Sequence, residues 1–166
     1  MPEREVIIDK YRVTYEGLFN ALDLYTIIDE FLEDKGYDKR EKKNIERVTK
    51  DGKYIELWLE PWKKLTDYAK SVILVRIIMS EVKEVEIEKE GVKVKMNQGK
   101  IQFVFDAYLE TDYENRWEMK PIFFFLRTIF DKFIFKSYMI GYRNEIRSDA
   151  NQLIVTIRSY LNLYRR

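Results

Sequence analysis

PIFFFLRTIFDKFIFKSYMI, residues 121–140, decides how the rest of the chain is read. Pro121 suits the first turn of a helix, where its missing N–H is no loss. Charges at Arg127, Asp131, Lys132 and Lys136 form a narrow stripe, and Ile122, Leu126, Ile129, Phe130, Phe133 and Ile134 occupy the rest of the circumference. A helix apolar over so much of its surface has to be covered. A bilayer is the wrong cover: each charge costs roughly 2.5–3.5 kcal/mol at the membrane centre, about 10 for the four. Interfacial placement is the weaker alternative because Asp131 interrupts the basic stripe. The expectation is therefore a core helix over 121–138, facing a sheet.

The residues upstream supply that sheet. "EREVIIDKYRVTY" reads as a first strand near an edge, and Leu18, Ala21, Leu22, Tyr25, Ile28 and Leu32 then recur at helical spacing, closed by Lys35 and Gly36. "NIERVTK" and "KYIELWLE" flank Asp51-Gly52, a pair suited to a type I′ hairpin. "AKSVILVRIIMS" is β-branched and unbroken, as a central strand should be. "EVEIEKEGVKVKMNQGKIQFVFDAYLE" reads as three further strands turning at Glu90-Gly91 and at Asn97-Gln98-Gly99. Beyond an "IGYRNEIR" link, Ala150, Leu153, Ile154, Ile157, Leu161 and Tyr164 predict a last helix over 149–164, N-capped by Ser148 or Asp149. The predicted class is α+β: a curved antiparallel sheet of about seven strands packed on a long helix, in the order β-α-β6-α-α. Its 166 residues form a single domain.

Composition removes several chemistries. There is no Cys and no His, so thiol nucleophiles, disulfides, zinc-thiolate sites, Ser-His-Asp triads and HExxH sites are excluded. The six glycines are scattered, leaving no nucleotide-binding loop. No metal or cofactor is expected; the acidic run Asp29, Glu30, Glu33, Asp34 lacks the looped spacing of a calcium site. The net charge of +1 disfavours nucleic acid. It hides an asymmetry: residues 1–115 carry 20 Lys/Arg against 25 Asp/Glu, and residues 116–166 carry 10 against 4. With no signal-peptide pattern, the expected location is cytoplasmic and the chain is not read as an integral membrane protein.

Alternation places Ile55, Leu57 and Leu59 on one face, with Ile73, Val75, Ile77 and Met79, and with Ile101, Phe103, Phe105 and Leu109. Phe123, Phe130, Phe133 and Ile134 of the long helix are expected opposite. If this interface encloses space, its candidate lining is Leu57, Leu59, Ile77, Met79, Phe103 and Phe105 from the sheet, with those four helix residues. The competing reading is a solid core, since protein interiors pack at crystal-like density. Tyr54, Trp58 and Trp62, with Trp117 in the connector, form a second, aromatic cluster suited to an interaction surface. Asp9 and Asp106 are the carboxylates set closest to apolar strand positions, each expected to point outward.

The order of elements over residues 4–139 resembles the helix-grip fold of the START-like, polyketide-cyclase-type superfamily, in which a curved sheet wraps a C-terminal helix. The resemblance implies a hydrophobic ligand held between sheet and helix; other members act as protein-binding adaptors or as enzymes. The helix at 149–164 is an addition to that pattern. The functional expectation is a non-catalytic module for a hydrophobic small molecule. The alternative is an interaction or assembly subunit with a solid core, using the Trp58/Trp62 cluster and the C-terminal helix towards a protein partner or a second copy. An enzyme would have to work with carboxylates, Lys, Tyr or Arg alone.

Overall fold

The computed structural model describes residues 3–111, 122, 125, 126, 128, 129, 132 and 135–163. The chain is α+β: its described elements are a six-stranded antiparallel open sheet and two helices, the C-terminal one packed on the sheet. The strands are β1 (Glu3–Phe19), β2 (Glu41–Thr49), β3 (Gly52–Leu59), β4 (Trp62–Lys64), β5 (Ala69–Lys89) and β6 (Val92–Thr111). Helix α1 covers Ala21–Asp34 and α2 covers Phe135–Leu163. Strand order is β1-β6-β5-β3-β2, with β4 pairing β5 beyond the end of β3.

The register turns the period-2 pattern into rows across the sheet. Leu57 lies opposite Ile77, Ile77 opposite Phe103, and Phe103 opposite Val13. The next row joins Leu59, Val75, Phe105 and Tyr11. Directly opposed residues share a face, so these rows make one continuous apolar surface. Helix α2 closes it with Ile146, Ala150, Leu153, Ile154, Ile157 and Leu161, all buried.

The expected seven strands become six because two predicted breaks are absent and one unexpected short strand, β4, forms at Trp62–Lys64. "AKSVILVRIIMS" and "EVEIEKE" form one strand, β5, interrupted only by a bulge between Ser80 and Lys83 where Glu81 has φ 53°. Asn97-Gln98-Gly99 is no turn: β6 runs through it, paired with β5 and β1. A Cβ on Gly99 would stand 3.0 Å from both Ser80 O and Val82 Cα, so this glycine permits the close approach of the bulged strand. The hairpin chemistry also moves. Lys50 and Asp51 make the β2–β3 turn, with Gly52 already in β3, whereas the turn with two positive angles is Glu90-Gly91, at φ 52° and 78°.

The helical expectations need two corrections. The "IGYRNEIR" link is helical, and Ser148 and Asp149 sit inside α2 instead of capping it. The helix that covers the sheet is the C-terminal half of α2, the segment expected to be an addition. In the stretch 121–134 the described residues are helical, but Ile122, Phe125, Leu126 and Ile129 are exposed, against the expectation that this surface would be covered. Phe123, Phe130, Phe133 and Ile134 lie outside the described residues. No helix among the described residues is long and apolar enough to cross a membrane.

Candidate functional site

Helix α1 is fixed at both ends. Asn20 caps it, accepting hydrogen bonds from the backbone N–H groups of Leu22 (3.0 Å) and Asp23 (3.2 Å). The N–H of Ala21 donates to Asn97 Oδ1 of β6 at 3.0 Å, and the Tyr160 hydroxyl of α2 lies 3.1 Å from both Asn20 N and Asn20 O. At the other end the Lys35 N–H donates to Phe31 O, and Gly36 takes the left-handed conformation that stops a helix. Leu24, Ile28 and Leu32 are thereby turned into the core, while Ala21 and Tyr25 overhang the β2 side of the sheet.

Under that overhang lies a cleft of about 260 Å³, lined by Ala21, Leu24 and Tyr25 from α1, Glu41 and Asn44 from β2, Ile55 and Leu57 from β3, and Ile77 and Met79 from β5. The register explains the lining: Asn44 opposes Leu57, Leu57 opposes Ile77, and Ile55 opposes Met79, so all point to the helix side. The walls are apolar; Tyr25, Glu41 and Asn44 bring polar groups to the rim. Lys39 sits over the Tyr25 ring, 5.3 Å from its centroid, and pairs with Asp29 of α1. No lining residue is a nucleophile beside a base. Among the described residues no group of three or more acidic side chains could hold a metal ion.

The candidate lining residues therefore separate. Leu57, Ile77 and Met79 line the cleft. Leu59, Phe103 and Phe105 belong to the solid core, where the Phe103 and Phe105 rings stack at 6.0 Å between centroids. Periodicity did not identify Ala21, Leu24, Tyr25, Glu41 and Asn44 as cleft residues. The broad apolar surface of α1, from Ala21 round to Tyr25, was the available signal.

On the opposite face of the sheet, the aromatic cluster is already engaged. Trp58 lies between Lys43 (4.8 Å) and Arg76 (5.8 Å), with Lys43 bonded to Glu56 at 2.8 Å and Tyr54 donating to the same carboxylate at 3.2 Å. The Lys43 hydrogen bond is the chief reason that the Glu56 pKa is lowered, whereas the Tyr54 pKa is raised by burial and by Glu56. Asp106, expected to be solvated, is buried beside Arg76 at 2.7 Å and accepts from the Lys10 N–H at 2.8 Å; Asp9 is exposed. Trp62 forms a backbone bridge with Asp38 and lies under Lys70, which pairs with Glu110. Trp117 lies outside the described residues.

A buried polar cluster ties α2 to the sheet. The Tyr37 hydroxyl lies 2.7 Å from Ser71 Oγ and donates to Asp149 Oδ2 at 3.0 Å, while Lys63 Nζ reaches Asp149 at 3.0 Å and Glu145 at 2.8 Å. Burial, reinforced by Asp149, pushes the Tyr37 pKa far above its ordinary value, so it stays a neutral donor. Burial opposes the Lys63 charge, but its bonds to Glu145 and Asp149 win and raise its pKa. None of these residues lines the cleft, and the arrangement is that of a clamp.

Comparison with protein families, with characterised proteins and with solved structures gives no match for this chain.

Proposed function

We propose that the protein is a non-catalytic binding module for a small hydrophobic molecule, held between α1 and the β2–β3–β5 side of the sheet. The cleft carries this reading. Ligand pockets are concave and mainly apolar with a few polar groups, and this one has Leu24, Ile55, Leu57, Ile77 and Met79 inside with Tyr25, Glu41 and Asn44 at the mouth. Its volume of about 260 Å³ is below the roughly 300–1,000 Å³ of drug-sized sites. A dry apolar cavity of about 150 Å³ holds benzene, so a single aromatic ring or a short acyl chain fits here. A sheet packed on a C-terminal helix also supports the resemblance to the START-like superfamily, with the ligand displaced from the long helix to α1.

The test is a thermal-shift series with indole, benzyl alcohol and hexanoic acid against the wild type and Leu57→Trp, which fills the cleft. At a free concentration of about 100 Kd a ligand stabilises the fold by about 2.7 kcal/mol. For a chain of this size that is roughly 5–11 °C in Tm. Leu57→Trp should abolish the shift; no shift in the wild type with any probe refutes the proposal. The interaction alternative draws less support from Tyr54, Trp58 and Trp62, since Trp58 is sandwiched by two cations and the C-terminal helix is used in the core.

A further inference from the structure

The stretch that opened the sequence reading is the largest feature the cleft leaves unused. Ile122, Phe125, Leu126 and Ile129 are helical and exposed, the first two by 63% and 64%. Their spacing places them on one helix face. The exposed apolar surface continues at Tyr138 and Ile140 in the first turns of α2, before Met139 and Tyr142 become partly covered and Ile146 is buried. Four large apolar side chains on one face, standing in water, mark a contact surface and not a scatter of exposed residues.

Charge identifies what the surface meets. Residues 116–166 carry 10 Lys/Arg against 4 Asp/Glu. Glu145 and Asp149 pair with Lys63 and Arg143 pairs with Glu5, so these contacts with the rest of the chain leave the positive excess of the segment in place. Residues 1–115 carry five more acidic than basic side chains, so the attraction of an anionic surface falls on the 116–166 segment and not on the rest of the chain. In sequence, residues 121–140 hold six Phe and three basic residues, Arg127, Lys132 and Lys136, against the single acid Asp131; Asp131 interrupts the basic stripe but leaves the stretch at a net +2, a composition that matches an interface between acyl chains and anionic headgroups. Spanning is unnecessary for such binding.

We propose that the apolar helical face at Ile122, Phe125, Leu126 and Ile129 docks, parallel to the surface, on an anionic lipid membrane. This inference is independent of the cleft. A second copy of the chain is the competing occupant, because Ile122, Leu126 and Ile129 also have coiled-coil spacing, but two copies of a segment with this positive excess repel each other.

Flotation decides it, using vesicles of phosphatidylcholine alone and of phosphatidylcholine with about one-third phosphatidylglycerol. The wild type should bind the anionic vesicles at least about tenfold more tightly and be released between about 0.1 and 0.5 M NaCl. Phe125→Glu with Leu126→Glu should reduce binding at least about tenfold, with an unchanged Tm because both side chains are exposed. Should that pair fail to fold, Ile122→Gln at its own exposed position gives the same readout. Equal binding to both vesicles, binding that survives these substitutions, or no binding at all overturns the proposal. So does a dimer in light scattering that the same substitutions dissociate while vesicles bind nothing.

Discussion

Replacing Gly99 and Gly141 each by Ala should move stability in opposite directions. Both glycines invite the reading of a chain break: Gly99 as the end of a turn, Gly141 as the start of a link. In the structure Gly99 lies within β6, where an added Cβ would be 3.0 Å from Ser80 O and Val82 Cα and 3.2 Å from Glu81 O. All three atoms are backbone, and the bulge they belong to is pinned by β5–β6 pairing on both sides, so no side chain can swing away. Overpacking of this kind costs about 1–3 kcal/mol. Gly141 lies inside α2 with nothing within 4 Å of an added Cβ. There Ala gains about 0.8–1 kcal/mol of helix propensity. At roughly 2–4 °C per kcal/mol for this chain length, Gly99→Ala should lower Tm by about 2–12 °C and Gly141→Ala should raise it by about 2–4 °C. Scanning calorimetry and urea unfolding followed by circular dichroism measure both. A neutral Gly99→Ala would mean that β6 does not pass the bulge as described, and a neutral or destabilising Gly141→Ala would mean that α2 is broken there.

Two further outcomes follow from the packing and the clamp. Phe105→Ala, at a fully buried ring, should cost about 3–5 kcal/mol in urea unfolding, whereas Leu57→Ala, half-buried on the cleft wall, should cost about 1–2; equal losses would mean that the cleft is closed. The Tyr37 and Lys63 pKa values are both raised in the fold, so their stabilisation is complete below their unfolded values, 10.0 and 10.5, and is lost as pH rises through the folded ones. Tm should therefore fall progressively above about pH 10, and Tyr37→Phe should flatten part of that slope; an unchanged slope would remove Tyr37 from the clamp.

The sheet was legible because its pattern is long and strict. Period-2 runs through 55–59, 73–79 and 101–109 place the apolar residues on one face wherever the strand ends fall, and the register sets them in the expected rows. Turns were less legible because Gly serves close approach as readily as reversal, and Gly99 next to Asn97 and Gln98 carries the composition of a turn. Asp149 before an apolar run has the signature of an N-cap, but its partners are Tyr37 and Lys63, about a hundred residues upstream and invisible to local pattern. The cleft was half legible. Leu57, Ile77 and Met79 followed from parity; Ala21, Tyr25, Glu41 and Asn44 did not, because the helix opposite those strands was taken to be the Phe-rich one.

The exposed helix and the cleft have a common origin in the width of the sheet. Five strand columns at about 4.8 Å span roughly 19 Å, and a helix with its side chains is about 10 Å across, so the inner face has room for two helices and not three. Asn20, Asn97 and Tyr160 secure one place for α1. For the other, a helix apolar on one side has the advantage over one that also brings charges into the core. The segment 146–161 buries Ile146, Ala150, Leu153, Ile157 and Leu161 and turns Arg147, Ser148, Asn151, Gln152, Val155, Arg158 and Ser159 outwards, so only one of its seven exposed residues is apolar. Burying 121–140 in its place would bring Arg127, Asp131, Lys132 and Lys136 towards the core, where an unpaired charge costs several kcal/mol. The one-sided helix takes the site along β6 and β1, leaving the described apolar residues at 122–129 exposed. On the far side, α1 alone overlooks the β3 and β2 margin, and the cleft remains between them. A substitution that charges the α2 core face, such as Leu153→Lys, should therefore perturb both sites together, whereas Leu57→Trp should close the cleft and leave vesicle binding unchanged.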